Sequence, residues 1–151
     1  MTDPASYLSL SEMACRDGTP YPARWISTRG RDLRIVFGRI RGIWHRPITV
    51  ASCYRTASYN ARIRGSAKNS QHIEGRALDL YPPQGVTVTA FQRAIRRLAD
   101  EMVVEGHDLI GGVGYYPTFC HVDIRGGVGA PLIVWWGTRP APEIMTEEKR
   151  L

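Results

Sequence analysis

The pattern of apolar and polar positions predicts two long amphipathic helices. After Asp32, apolar residues recur at intervals of three and four, at Leu33, Val36, Phe37, Ile40, Ile43 and Trp44. Residues 89–104 repeat this spacing, at Phe91, Ala94, Ile95, Leu98 and Met102. This periodicity places the apolar side chains on one face of a helix, which then packs against a core. We expect Pro47 to end the first helix.

Two shorter helices are indicated by local signals. Ser9 and Glu12 have the spacing of a capping box, which predicts a short helix ending near Gly18. Residues 57–64 form a second short candidate, closed by Gly65.

Short apolar runs predict the strands. Residues 48–52, 77–81 and 119–124 are interpreted as buried strands, and residues 132–136 as an edge strand. The glycine-rich residues 111–114 are interpreted as a turn. Because helices and strands alternate without a clean βαβ repeat, we expect an α+β fold in which helices flank a small antiparallel sheet.

Length and composition favour one globular domain. The chain has 151 residues and is 43% hydrophobic, which excludes a disordered or collagenous protein. We expect residues 1–151 to form a single domain with its core at 7–136 and an exposed tail at 137–151. No apolar run is long enough to span a membrane, and the first residues lack the pattern of a secretory signal. Synthesis in the cytoplasm is therefore expected.

The net charge indicates which partners to expect, and the cysteine content indicates whether disulfides form. The formal net charge of +6 favours anionic partners such as a cell-wall polymer, but the basic residues are scattered, so nucleic-acid binding is not expected. The three cysteines form no CxxC pair, and their odd number predicts packed, reduced thiols rather than a disulfide framework.

Three residues form a candidate metal site. Asp79 lies in an otherwise apolar predicted strand, and a carboxylate on an inner sheet face needs a partner or a metal ion. His72 and His121 could complete a set of two imidazoles and one carboxylate, which is known from catalytic zinc sites that keep a position for water. The alternative is that Asp79 pairs with an arginine.

Two further residues are placed by their spacing. Asp123 is two residues after His121 on a predicted strand, so both side chains share a face, and the carboxylate could take a proton from a metal-bound water or orient it. Arg55 follows the strand at 48–52 and could bind a substrate carboxylate or a developing oxyanion. The alternative for Arg55 is a solvated surface arginine.

Several segments together resemble the signature of the M15 family of zinc D-Ala-D-Ala carboxypeptidases. These segments are SCYR at 52–55, SQHIEGRALD at 70–79, GGVGYYP at 111–117 and FCHVD at 119–123. The resemblance covers residues 7–136 approximately. It implies the fold of this family, which hedgehog-like and DD-peptidase-like domains share.

The resemblance also implies residue roles and a substrate. His72, Asp79 and His121 would bind one zinc ion, and Arg55 would contact the substrate or stabilise the tetrahedral intermediate. Further substrate-binding positions implied by the motifs are Tyr54, Ser70 and Gln71. Such enzymes hydrolyse peptide bonds of the peptidoglycan stem or cross-link, and we expect a phage endolysin or a virion-associated hydrolase that acts at the cell wall.

The sequence departs from the family pattern at the general base. Many members carry an acidic residue three positions before the last ligand, or a histidine two positions before it, where this chain has Thr118 and Phe119. Asp123 is the substitute that we expect, and Glu74 and His107 are the fallbacks.

Two alternatives remain open at this stage. The bond cleaved could be a terminal D-Ala bond, a D,D-cross-link or an L-alanyl-D-glutamate bond, because all three use the same metal chemistry. The missing acid at Thr118 favours a second class of function, in which the chain is a zinc-binding structural or binding module, with weak or absent turnover, in a phage or cell-wall assembly.

Overall fold

The computed structural model describes residues 7–138, which form four helices and a five-stranded sheet. The helices are α1 Leu10–Met13, α2 Arg29–Trp44, α3 Ala57–Ala61 and α4 Val88–Val104, with a short 3₁₀ helix at Ala23–Trp25. The strands are β1 Val50–Ser52, β2 Ala77–Leu80, β3 Gly112–Tyr115, β4 Cys120–Asp123 and β5 Ile133–Trp136. The α+β class is confirmed.

The sheet is mixed rather than antiparallel. Its order is β1-β2-β4-β3-β5, and all neighbours run antiparallel except β3 and β5, which are parallel. The reason lies in the order of the strands. The chain reverses direction after β4, but β2 and β3 already occupy both sides of β4. Strand β5 therefore pairs with the outer edge of β3, whose direction it shares.

The two long helices and one face of the sheet form the main core. The buried apolar residues of the helices are Leu33, Val36, Phe37 and Ile40 of α2 and Phe91, Ile95, Leu98 and Met102 of α4. From the sheet, Leu78 and Leu80 of β2 join the same cluster. Because successive strand residues point to opposite faces, Asp79 lies on the other face of the sheet. The apolar periodicity is confirmed, and it determines which sheet face is left for polar groups.

The helix ends agree only in part with the predicted ones, since α1 ends at Met13 rather than near Gly18 and α3 ends at Ala61 rather than at Arg64. Ser9 and Glu12 form the capping box at the start of α1, with the Ser9 N–H donating to Glu12 Oε1 at 3.0 Å. Helix α2 ends at Trp44, and the next residue, His45, adopts a left-handed conformation with φ of 52°, two residues before Pro47.

One predicted turn is a strand. The sequence indicated a glycine-rich turn at 111–114, but residues 112–115 form β3, which lies between β4 and β5 in the sheet. Glycine is unfavourable in strands, so propensity alone hides this element. The predicted tail at 137–151 lies outside the described residues except for 137 and 138. Within the described chain, no helix is both long and apolar enough to cross a lipid bilayer.

Candidate metal centre

The strand register aligns one row of residues across the polar side of the sheet. Asp79 pairs with Ser52 of β1 on one side and with His121 of β4 on the other. His121 in turn faces Gly114 of β3, which faces Trp135 of β5. Asp79 and His121 are 42 residues apart in the sequence, and strand pairing makes them neighbours.

His72 reaches the same place from the loop that precedes β2. Its backbone is held on both sides, since its N–H donates to Ser70 Oγ at 3.1 Å and its carbonyl accepts from the Arg55 N–H at 3.0 Å. The ring atom Nδ1 lies 2.5 Å from the carbonyl oxygen of Cys53. A carbonyl can only accept, so Nδ1 carries the proton and Nε2 of the neutral ring carries the lone pair.

The lone pair of His72 fits a cation. Nε2 is buried and has no hydrogen-bond partner among the described residues. It lies 3.1 Å from Asp79 Oδ2, so two acceptors face each other. Burial, assisted by the charge of Arg55, lowers the pKa of His72 to about 4, so the ring is neutral near pH 7. The ligand atoms of His72, Asp79 and His121 all lie within 4.8 Å of one another. A metal ion bound by all three would relieve this repulsion, and two imidazoles with one carboxylate suit zinc.

Asp79 is held ionised inside the protein. Its side chain has no exposed surface, and burial alone would raise its pKa, but the hydrogen bond to His121 holds the pKa well below its usual range. Arg55 Nη2 donates to Asp79 Oδ2 at 3.0 Å. Asp79 thus pairs with an arginine and also faces the two histidines, and its role as a metal ligand stays a prediction.

Arg55 is buried, not a solvated surface side chain. Its side chain is 1% exposed, and it donates from Nε to Ser52 Oγ at 2.9 Å and from Nη1 to Asn60 Oδ1 at 3.2 Å. Asn60 is itself fixed, because its amide donates to the carbonyl of Ala67. Arg55 thus orients Asp79, although it also lines the cavity described below.

Asp123 supports His121 from behind the cluster. Its Oδ2 lies 2.7 Å from His121 Nε2, and Arg125 donates to the same carboxylate from Nε and Nη2. Burial opposes ionisation, but the hydrogen bonds from His121 and Arg125 hold the pKa of Asp123 below its usual range. The carboxylate has no exposed surface and does not line the cavity. This geometry suits orientation of His121, and the role of Asp123 as general base stays a prediction.

A cavity of about 370 Å³ opens beside the cluster. Its walls include Arg55, Ser70, Gln71, His72, Tyr116, His121, Arg125, Ile133 and Trp135. None of the described residues that line it is an aspartate or a glutamate. Ser70 and Gln71 therefore lie where the family resemblance implies.

The other sequence candidates lie elsewhere. Tyr54, expected to bind substrate, packs edge-to-face against Tyr21 and Trp25 and does not line the cavity. Neighbouring residues of extended chain point in opposite directions, so the inward position of Arg55 turns Tyr54 away. Glu74 is half-exposed beside Arg29, and neither it nor His107 lines the cavity.

The aromatic wall of the cavity was missed by sequence reasoning. The Trp135 ring lies 5.1 Å from that of His121, and Trp135 Nε1 donates to the Tyr116 hydroxyl at 3.0 Å. A Cβ on Gly114 would lie 2.7 Å from the Trp135 ring, so glycine is what lets this ring reach the histidine. Gly112 and Gly114 alternate with Val113 and Tyr115, and this alternation could have revealed a strand on one face of which other groups leave no room for side chains.

The pKa values predict how the metal-free protein responds to pH. The pKa of His72 is 6.5 in the unfolded chain and about 4 in the folded protein. The free energy of unfolding should therefore fall by about 3 kcal/mol as the pH is lowered from 6.5 to 4. For His121, burial alone would lower the pKa, but hydrogen bonds to Asp123 and Asp79 raise it, so its contribution is complete below pH 6.5 and is lost as the pH rises. We expect maximum stability near pH 6.5.

Urea unfolding across this pH range, with zinc removed by a chelator, measures the effect. The variant His72→Gln should lose most of the decline between pH 6.5 and 4. The same decline in this variant would contradict the assignment to His72.

Gly112 is expected to be intolerant of a side chain. A Cβ there would lie 2.5 Å from Asp123 Oδ2 and 2.7 Å from Oδ1, so the carboxylate would have to move away from His121 and Arg125. Gly112→Ala should destabilise the protein by about 1–3 kcal/mol and weaken metal binding. Thermal unfolding and zinc titration test this. The control is Gly42→Ala in α2, where a Cβ meets nothing within 4 Å and alanine should stabilise the helix.

Comparison with known proteins gives a consistent result. Residues 6–123 match the family described as Peptidase M15. The probable peptidoglycan L,D-endopeptidase MepK of Haemophilus influenzae is 37% identical over 102 residues, which are 64% of this chain and 46% of that protein. The peptidoglycan L,D-endopeptidase MepK of Escherichia coli K12 is 32% identical over 93 residues, 56% of this chain and 45% of that protein. The chain thus spans just under half the length of these relatives.

Proposed function

This chain belongs to the peptidase M15 family, and from that premise we propose that it is a zinc-dependent peptidase that hydrolyses peptide bonds of bacterial peptidoglycan. Residues 7–136 would form the catalytic unit. The observation that carries the proposal is the buried Nε2 of His72. It has no hydrogen-bond partner in the part of the chain that the structure describes, and it faces the ionised Asp79 in a cluster with His121.

The proposed ligands are His72, Asp79 and His121. When bound, a zinc ion would supply a Lewis acid for the scissile carbonyl and would lower the pKa of a water molecule toward 7. Because Asp123 accepts from Nε2 of His121, the Nδ1 atom would carry the lone pair, and this atom lies 2.9 Å from Asp79 Oδ1. The protein would thus present one lone pair from each imidazole toward the same carboxylate.

The surrounding residues would hold these ligands in position. Arg55 fixes one oxygen of Asp79, and its place in the cavity wall lets it stabilise negative charge on the substrate. Ser70 and Gln71 would contact the peptide beside the metal. We propose that Asp123 acts on the reaction by orienting His121, as carboxylates behind metal-bound histidines commonly do.

The bond and the biological setting are further proposals. The names of the relatives refer to L,D-endopeptidases, so a bond between an L- and a D-centre is our first candidate, ahead of the D,D- and terminal D-Ala bonds. A phage endolysin or virion-associated enzyme is the setting that we propose, with the cell wall as the place of action.

A binding module is the second candidate function. It is favoured by one observation: no carboxylate lines the described part of the cavity, so the usual general base has no replacement there. Under this alternative the protein would bind zinc and peptidoglycan and would release no fragments.

Digestion of purified peptidoglycan by the zinc-loaded protein tests the proposal. Mass spectrometry of the soluble products should show new fragments whose masses identify the bond, and the His72→Ala variant should produce none. Stoichiometric zinc and retained wall binding, with no fragments from any of several wall types, would establish the binding module instead. Failure to bind zinc would reject both candidates.

A further inference from the structure

Arg125 is a partly exposed, positively charged residue in the wall of the cavity beside the proposed metal ligands. Two of the described lining residues are charged, Arg55 and Arg125. The Arg55 side chain is only 1% exposed, whereas that of Arg125 is 30% exposed. Arg125 also lies beyond residues 6–123, the segment that matches the family. A substrate that enters the cavity would therefore meet a cation at a position that the family match does not include.

The guanidinium of Arg125 is fixed in orientation. Nε and Nη2 donate to the Asp123 carboxylate at 2.7–3.1 Å, and Cζ lies 5.0 Å from the centre of the Trp135 ring. Nη1 makes no hydrogen bond to any group in the described part of the chain, so its two N–H donors remain for a ligand. Because the side chain is already ordered, binding a ligand there costs little further conformational entropy.

The Nη1 group of Arg125 favours an anionic ligand. Arginine binds carboxylates through charge-assisted hydrogen bonds, which are about twice as strong as neutral ones. No carboxylate among the described residues of the cavity wall competes for Nη1. The aromatic ring of Trp135 next to Arg125 limits the access of water on one side.

We propose that Arg125 is a specificity-determining residue that binds a carboxylate of the peptide substrate close to the scissile bond. This inference rests on the proposed function, because it concerns the substrate of the same cavity. The carboxylate could belong to a side chain of the stem peptide or to its C-terminus, and both sources have the same chemistry.

Matched acid and amide peptides test the assignment. The zinc-loaded protein and its Arg125→Gln variant are compared on one stem peptide in three forms: fully acidic, with the side-chain carboxylate amidated, and with the C-terminus amidated. The natural protein should prefer the acidic form to one of the amides, which identifies the source. In Arg125→Gln this preference in kcat/KM should fall by about 10- to 100-fold. Arg125→Lys should keep part of it, because lysine retains the charge without the planar fork.

Control measurements separate recognition from other effects. Arg96→Gln removes the same charge from the outer surface of α4, where Arg96 pairs with Asp100, and should leave the preference unchanged. Zinc content and thermal unfolding verify that Arg125→Gln retains the metal centre. Equal losses on the acidic and amidated peptides would overturn the inference, since Arg125 would then act only through Asp123.

A binding measurement keeps the inference separate from the proposed function. If the natural protein cleaves none of the peptides, the proposed function fails, and titration of the metal-free protein with the same peptides still tests Arg125. Tighter binding of the acid than of the amide, lost in Arg125→Gln, would support recognition of a carboxylate. Equal affinities would overturn it.

Discussion

Replacing Asp79 with asparagine is expected to weaken zinc binding by more than about 100-fold, because the loss of an outer partner alone commonly costs 10–100-fold. The substitution keeps the size of the side chain and removes only its charge. The anionic ligand that balances a divalent ion is then lost, and Arg55, which is 1% exposed, is left without its ionic partner. Peptidoglycan hydrolysis should disappear with the metal.

The same variant should also be unstable without zinc. Removing one member of a buried ion pair leaves an uncompensated charge, so Asp79→Asn should lower the free energy of unfolding of the metal-free protein by roughly 3 kcal/mol. Urea unfolding and zinc titration measure the two effects. The control is Asp100→Asn, which removes a carboxylate that is 66% exposed on α4 and should change neither quantity. Unchanged zinc affinity in Asp79→Asn would exclude this residue as a ligand.

The residues that the sequence predicted correctly are those that local patterns specify. Helices α2 and α4 follow from long apolar periodicities, and their buried faces agree with the predicted ones except at Ile43, which is 41% exposed. The alternation in Ala77–Leu80 turns Asp79 away from two leucines, and the motif spacing brings it to His72 and His121. Local periodicity was sufficient in these cases because burial of the apolar face determines where the polar residues lie.

The features that the sequence did not predict depend on pairing between distant strands. Gly112 and Gly114 indicated a turn, yet the register places them opposite Asp123, His121 and Trp135, where a side chain would collide. The burial of Arg55 likewise requires Ser52, Asn60 and Asp79 to converge from three elements. No single segment contains this information, because each position is fixed by contacts across the sheet.

Knowing that Asp123 and His121 share one face of β4 was not enough to assign a role to Asp123. The spacing of two residues correctly placed Asp123 and His121 on one face of β4, from which either proton transfer or orientation of the ring could follow. The structure adds Arg125, which occupies the carboxylate, and the absence of Asp123 from the cavity wall. Our proposal that Asp123 orients His121 rather than acting as general base thus depends on Arg125. This residue follows β4 and lies outside the two-residue spacing that suggested the general base.

Replacing Asp123 with asparagine should therefore weaken zinc binding by about 10- to 100-fold and leave most of the turnover at saturating zinc. The carboxylate holds His121 through Nε2, and an amide holds it less firmly while leaving Arg125 without its anion. A general base would behave differently, because its loss leaves the zinc affinity intact and lowers kcat by about 10²- to 10⁴-fold at every zinc concentration. Zinc titration followed by peptide hydrolysis at saturating zinc distinguishes the two roles.

A second readout of Asp123→Asn is independent of catalysis. Burial alone lowers the pKa of His121, and the hydrogen bond to Asp123 is the largest of the contacts that raise it, so its loss should lower this pKa in the metal-free protein. The stability contributed by protonated His121 is lost as the pH rises from the unfolded pKa through the folded pKa, so in the variant this loss should be smaller and should be complete at a lower pH. Asp108→Asn, an acid outside the cluster that accepts from the Gly129 N–H, serves as the matched control and should leave the pH profile unchanged. An unchanged profile in Asp123→Asn, together with unchanged zinc affinity, would mean that Asp123 does not act through His121 and would return it to the predicted role of general base.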